Sequence, residues 1–69
     1  ITLDLDLSRD TDIHLAIFSA TGQLVYNNTF SDQVIGKQQI ELAPNIPTGV
    51  YFLQIKTQDG QFTKRIVKL

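Results

Sequence analysis

The feature that most constrains this sequence is an alternation of apolar and polar residues with a period of two. From Ile1 to Leu7 every second residue is isoleucine or leucine, and the alternation returns from Ile13 to Ile17. Successive side chains of a β-strand point to opposite faces of its sheet, so this period predicts strands with one buried face. No segment has the 3.6-residue apolar period of a helix, and the chain is therefore predicted to be all-β.

Clusters of turn-forming residues separate the alternating stretches. Ser19 to Gln23 predicts a type I turn, two prolines interrupt the loop from Ala43 to Gly49, and Asp59-Gly60 is typical of a two-residue hairpin turn. About six short strands with such turns between them indicate an antiparallel β-sandwich. After the two opening strands we predict these four: 24–30, 38–42, 50–57 and 62–69. We assign three glycines to the turns as structural residues: Gly22, Gly49 and Gly60.

The Asp59-Gly60 turn predicts the register of the last hairpin. It places three pairs of residues opposite each other: Ile55 and Lys64, Leu53 and Ile66, Phe52 and Val67. The predicted core face of the hairpin carries five side chains: Tyr51, Leu53, Ile55, Phe62 and Ile66. The opposite face is apolar only at the end far from the turn, where it carries Val50, Phe52, Val67 and Leu69. Either a second layer covers this end, as we expect, or the end is a contact surface for a partner.

Length and composition exclude several classes of function. The 69 residues form one small domain with a formal net charge of −1, which lacks the basic surface expected of a nucleic-acid-binding protein. The chain has no cysteine, so disulfides, thiolate zinc sites and cysteine nucleophiles are impossible. No apolar run approaches the ~20 residues that span a bilayer.

Candidate catalytic and metal-binding residues are few. His14 is the only histidine, no nucleophile motif accompanies it, and we interpret it as structural. Asp10 and Asp12 could offer oxygen ligands to Ca²⁺, although their spacing lacks the glycine and glutamate of an EF-hand loop. We expect Asp4 and Asp6 to face water and to discourage pairing of exposed strand edges. The sequence thus predicts neither an enzyme nor a cofactor.

The last six residues hold three of the six positive charges of the chain. They are Lys64, Arg65, Ile66, Val67, Lys68 and Leu69. Basic residues on a terminal strand either protect a sheet edge from aggregation or form a recognition site for a partner. The sequence alone leaves both interpretations open.

Three segments resemble motifs of the C-terminal sorting domains of the type IX secretion system. Ile13 to Val25 resembles an alternating strand followed by T-G-[RQ]-x-V, and Ile46 to Ile55 resembles L-x-x-G-[IV]-Y-x-[LV]-x-[IV]. Lys64 to Lys68 is similar to the closing motif K-[KR]-[ILV]-V-K. The segments follow the family's order and spacing. The Pro-Asn-Pro segment that opens these domains is absent, so we expect residues 1–69 to lack that segment and the first strand.

The resemblance implies an immunoglobulin-like β-sandwich of about seven strands at the end of proteins secreted by Bacteroidetes-type bacteria. Such a domain follows an N-terminal cargo and passes through the periplasm. The outer-membrane translocon and its shuttle protein then recognise it. Type A members are removed by a surface sortase, so the cargo ends on the outer-membrane surface or outside the cell. We place recognition on residues 64–69 together with Val50 and Phe52.

A second interpretation is an immunoglobulin-like or fibronectin-like accessory module of a secreted hydrolase or adhesin. A carbohydrate-binding module on this fold needs a flat row of exposed aromatic side chains, and the chain has no tryptophan. An exposed edge strand would also allow the domain to form a homodimer.

The predicted recognition role of residues 64–69 can be tested by deleting them. Removal of Lys64 to Leu69 should abolish export of the cargo while the cargo still folds, because the recognition residues are lost. Fractionation of cells that express the truncated protein would test this. Normal localisation of the truncated protein at the cell surface would contradict it.

Overall fold

The computed structural model describes residues 2–69, so Ile1, the first residue of the predicted alternation, lies outside the described residues. This part of the chain forms six β-strands, each antiparallel to its neighbours. They are β1 (Thr2–Leu7), β2 (Thr11–Ser19), β3 (Leu24–Gln33), β4 (Gly36–Glu41), β5 (Gly49–Thr57) and β6 (Gly60–Lys68). A candidate transmembrane helix is not found among residues 2–69.

The strands form two sheets that enclose one apolar core. β1 pairs with β4 in the smaller sheet, and the larger sheet has the order β3-β2-β5-β6. The buried apolar side chains come from both sheets and from the β4–β5 loop: Leu3, Leu7, Ile13, Leu15, Ile17, Ile40, Leu42, Ile46, Tyr51, Leu53 and Ile55. The predicted all-β sandwich is confirmed, with six strands among the described residues where about seven were expected.

The two-residue period explains which side chains enter the core. Ile13, Leu15 and Ile17 of β2 are at most 1% exposed, whereas His14 between them is exposed. β5 lies beside β2 and buries Leu53 and its odd-numbered neighbours in the same way. Asp4 and Asp6 of β1 are exposed, as the alternation predicts. We call the face of the larger sheet that packs on the smaller sheet its inner face, and the opposite face its outer face.

The turn between β2 and β3 forms where the sequence predicts it. The Gly22 amide donates to the Ser19 carbonyl at 2.9 Å, and the Ser19 amide donates to the Gln23 carbonyl at 2.8 Å. Gly22 has a φ of +90°, which a residue with a Cβ atom rarely adopts. Glycine at this position therefore allows the chain to reverse from β2 into β3.

The predicted register of the last hairpin is wrong by two residues. Thr57 pairs with Gly60, so Gln58 and Asp59 form the turn, and Gly60 is already the first residue of β6. The observed pairs are Leu53 with Lys64, Phe52 with Arg65, and Ile55 with Phe62.

Contacts with the β1–β2 connection and with the first residue of β2 account for the position of this turn. The Gln58 amide donates to Thr11 Oγ1 at 3.1 Å, and Arg9 Nε lies 2.8 Å from Asp59 Oδ1. The hydroxyl of Ser8 donates to the other carboxylate oxygen of Asp59. Asp59 is thus held by partners that are distant in sequence, and the hairpin turns one residue earlier than a local Asp-Gly preference predicts.

Two predictions about burial in this hairpin are also wrong. Phe62, expected in the core, is 59% exposed because β6 is an edge strand, outside the two central strands that carry the most buried side chains. The apolar end of the outer face, expected to be covered, is open among residues 2–69. Phe52 is 38% exposed and Val67 is 54% exposed.

Removing one methylene group from the core should separate buried from exposed positions. Ile17→Val should lower the free energy of unfolding by about 0.5–1.5 kcal/mol, because Ile17 is fully buried. Ile35→Val is the matched control at a side chain that is 61% exposed, and it should change the free energy by less than ~0.5 kcal/mol. Urea unfolding of both variants measures the difference, and equal effects would contradict the described core.

Candidate functional site

The register of β6 divides the predicted recognition residues between the two faces of the larger sheet. Arg65 and Val67 lie on the outer face, where they pair with Phe52 and Val50. Lys64, Ile66 and Lys68 point to the inner face, as their alternation with Arg65 and Val67 requires. Among the predicted recognition residues, Arg65 is therefore the one basic residue that lies on the same face as Phe52 and Val50.

The outer face carries an apolar patch that extends beyond the last hairpin. Phe18 of β2 pairs with Phe52 on one side and with Leu24 of β3 on the other, so their side chains form a row across three strands. Val50 and Val67 form the adjacent pair. We call these five residues, Phe18, Leu24, Val50, Phe52 and Val67, the outer apolar patch.

Each member of the outer apolar patch retains contact with solvent. Leu24 is 47% exposed, Phe52 38% and Val67 54%, while Phe18 and Val50 are half-buried. Leu69 follows Val67 beyond the end of β6 and is 99% exposed. Sequence reasoning missed Phe18 and Leu24. Phe18 carried a detectable signal, because it is the only large apolar residue at an even position of β2, where His14 and Ala16 precede it.

Outside the outer apolar patch, the outer face is mostly polar, although Ala16 of β2 also lies on it. His14 lies on this face, and its Nδ1 is 3.2 Å from the Thr29 hydroxyl of the neighbouring strand. Of the six aromatic side chains, Phe18 and Phe52 are on the outer face, whereas Tyr51 is buried on the inner face. This face therefore does not carry the long aromatic row that a carbohydrate-binding sandwich needs.

The ammonium group of Lys68 is engaged within the domain. Its Nζ donates to the carbonyl of Ile46 at 2.7 Å and to that of Pro44 at 3.2 Å. The Tyr51 hydroxyl donates to the carbonyl of Pro47 at 2.6 Å in the same loop. The loop between β4 and β5 contains no regular secondary structure over residues 42–47, so these side chains fix its path. Lys68 is thus a structural residue of this loop as well as a predicted recognition residue.

A carboxylate near this end of the sandwich also has a local partner. The Thr2 hydroxyl donates to Glu41 Oε2 at 2.5 Å, across the first pair of the β1–β4 ladder. This hydrogen bond lowers the pKa of Glu41 below its ordinary value, because it favours the ionised carboxylate.

At the opposite end, the aspartates considered for Ca²⁺ accept backbone hydrogen bonds. Asp10 Oδ1 accepts from the Ile35 amide at 2.7 Å, and Asp12 Oδ1 accepts from the Asp32 amide at 2.9 Å. Asp32 has a φ of +57°, so Asp12 supports a left-handed residue one position before the end of β3. Residues 2–69 contain no group of three or more histidine or acidic side chains arranged to hold a metal ion.

The three glycines assigned to turns occupy different positions. Gly22 lies in the β2–β3 turn, whereas Gly49 and Gly60 are the first residues of β5 and β6. Gly60 has a φ of +140° directly after the Gln58-Asp59 turn, so its conformation belongs to that chain reversal.

Comparison with known proteins assigns this chain to one family. The family model described as "Secretion system C-terminal sorting domain" matches residues 1–69, which is the whole chain. No curated protein and no solved structure matches the chain significantly.

The role of Lys68 can be separated from that of Lys64. Lys68→Met keeps most of the aliphatic stem but removes two charged hydrogen bonds, so it should lower the free energy of unfolding by about 1–3 kcal/mol. Lys64→Met is the matched control at an exposed position and should change it by less than ~0.5 kcal/mol. Urea unfolding at neutral pH measures both values, and equal stability of the two variants would refute the structural role of Lys68.

Proposed function

The chain belongs to the family of secretion system C-terminal sorting domains, and we propose that it is a non-catalytic signal read by the outer-membrane translocon and its shuttle protein. As a member of this family, it is a C-terminal signal of type IX secretion and interacts with that machinery. The attached protein is thereby directed to the cell surface or the extracellular space.

We place the recognition surface on the outer apolar patch together with Arg65 and Leu69. The observation that carries this assignment is an apolar row of Leu24, Phe18 and Phe52 that no other part of residues 2–69 covers. Burial of such a patch against a partner supplies affinity, because apolar area leaves water. Arg65 at its border supplies a charge that steers a partner with acidic groups.

The position of the patch fits an N-terminal cargo. Thr2 pairs with Glu41 at the end of β4, and Lys68 binds the loop that follows β4, so residues 2 and 68 lie at the same end of the sandwich. The outer apolar patch occupies this end, since Val50 and Val67 pair next to Gly49 and Lys68. A cargo joined before residue 1 would enter beside the recognition surface. We propose that the cargo passes through the periplasm and that a surface sortase afterwards separates it from this domain.

An export assay tests the proposal. The domain is fused, with its natural upstream residues, behind a periplasm-targeted reporter in a bacterium that carries the type IX system. The unchanged fusion should reach the surface or the medium, and a translocon-deficient strain should retain it in the periplasm. Retention of the folded unchanged fusion in both strains would contradict the sorting function and favour an accessory module.

Substitutions in the patch should weaken export without unfolding the domain. Phe52→Thr combined with Val67→Thr should lower the exported fraction about tenfold, because two exposed apolar contacts are lost while strand propensity is kept. Val34→Thr is the matched control, since Val34 is 60% exposed at the opposite end of the sandwich. Thermal unfolding verifies that both variants fold. Export of the double variant at the level of the Val34→Thr control would exclude the patch as the recognition surface.

A further inference from the structure

The larger sheet has two edges, and they differ in regularity. β3 forms one edge, and its pairing with β2 is interrupted by register shifts near Thr11 and Phe18. β6 forms the other edge and pairs with β5 without a shift from Gly49↔Lys68 to Thr57↔Gly60. β6 also contains no proline. Bulges and prolines are devices that prevent strand addition, so β6 is the edge at which the backbone is open to a further strand.

Two hydrogen bonds indicate which backbone groups of β6 point away from the sheet. The Ser19 amide points toward β3, where it reaches Gln23, and the Gln58 amide points toward β2, where it reaches Thr11. Backbone groups alternate in direction along antiparallel strands. In β2 the even-numbered amides therefore point to β5, and in β5 the even-numbered amides point back to β2. The odd-numbered amides of β5 then point to β6, and the even-numbered amides of β6 point to β5. The outward-pointing residues are then Gln61, Thr63, Arg65 and Val67.

All charged side chains of β6 are positive. Lys64 and Arg65 are adjacent and exposed, and no acidic residue occurs from Gly60 to Leu69. Neither cation forms an ion pair within residues 2–69. Ile66 and Val67 follow, so the edge reads basic, basic, apolar, apolar on alternating faces.

We propose that β6 accepts an additional antiparallel strand from a partner protein, and that this strand has two apolar residues followed directly by two acidic residues. Its acidic side chains would lie opposite Arg65 on the outer face and Lys64 on the inner face. Its apolar side chains would lie opposite Val67 and Ile66. Opposite charges and apolar pairs across two strands stabilise their pairing, and the main chain supplies the hydrogen bonds.

A second copy of this domain does not fit the same edge. Nowhere in the sequence are two acidic residues adjacent, so no segment of the chain carries the complementary pattern. Antiparallel pairing of two β6 strands through their centres would place Lys64 of one copy directly opposite Lys64 of the other, and like charges destabilise such pairs. The occupant is therefore a different protein, which we assign to the secretion machinery on the basis of the proposed function.

A synthetic peptide tests the pattern directly. The probe is the acetylated and amidated heptapeptide Thr-Val-Ile-Glu-Glu-Thr-Thr, and its control carries lysine at both glutamate positions. Binding of the probe should slow hydrogen exchange at the amides of Thr63, Arg65 and Val67, measured by NMR. The control peptide should bind about tenfold more weakly, because two attractive charge pairs become repulsive. Equal binding of the two peptides, or no binding of the probe, would overturn the proposal.

Backbone methylation separates strand addition from simple charge attraction. A chain of 69 residues is accessible to chemical synthesis, so an N-methyl group can replace the amide hydrogen of Arg65 while its guanidinium stays. This variant should bind the probe about tenfold more weakly, with an unchanged melting temperature. The matched control is N-methylated at Gln61, outside the probe's span, and should bind normally. Full binding of the probe by the Arg65 variant would refute strand addition. Equal binding of the two N-methylated variants to anionic phospholipid vesicles, with no binding of either to the probe, would also refute it.

The export assay distinguishes failure of this inference from failure of the proposed sorting function. Lys64→Glu combined with Arg65→Glu should reduce export about tenfold, because the edge would repel an acidic strand. Normal export of this variant by a strain that exports the unchanged fusion would overturn the inference but leave the sorting function intact. Failure to export the unchanged fusion would instead contradict the sorting function.

Discussion

The side chains of β2 and β5 fill the space between the two sheets, and this layer determines what the remaining surfaces can do. Ile13, Leu15, Ile17 and Leu53 are buried almost completely, so burial on the inner face supplies most of the apolar driving force available to so small a domain. The smaller sheet packs on one face of the larger sheet only. The reverse face is left to solvent, and its apolar end becomes available for contact with another protein.

Polar contacts at the two ends of the sandwich stabilise the connections that the core does not reach. At one end, Asp10, Asp12 and Asp59 bind the chain where it passes between strands. At the other end, Lys68 and Tyr51 bind the loop between β4 and β5. The last strand therefore has a double role, because it closes the fold through Lys68 and presents Arg65, Val67 and a free backbone edge to solvent. A deletion of the whole segment changes both properties, whereas the Lys68 and Arg65 variants separate them.

The type IX sorting function and the geometry of β6 are consistent in physical terms. A signal domain needs an accessible surface that belongs to the folded state, since the machinery has to select it among other exported domains. The outer apolar patch is assembled from three strands that are distant in sequence, so it exists only after folding. An edge strand of uniform positive charge adds selectivity, because it disfavours pairing with its own copies and favours an acidic strand.

Much of the fold follows from local patterns, whereas the details of the site do not. Alternation from Leu3 to Leu7 and from Ile13 to Ile17 predicted buried and exposed faces correctly, because side-chain direction in a strand depends only on position along it. The turn at Gly22 was also predicted correctly, because it depends only on the residues from Ser19 to Gln23. The three motifs, at Ile13 to Val25, Ile46 to Ile55 and Lys64 to Lys68, predicted the family, which the match over residues 1–69 establishes.

Tertiary contacts decided the register of the last hairpin and the exposure of its side chains. The last hairpin turns at Gln58-Asp59 because Arg9, Ser8 and Thr11 hold those residues, and a local Asp-Gly preference contains no information about such partners. The resulting shift placed Arg65 rather than Val67 opposite Phe52. Phe62 remained exposed because edge position is a property of strand order. The sequence by itself therefore determined the strands, their faces and the family, while only the assembled sheets decided which apolar residues meet on the outer face, since that depends on register between distant strands.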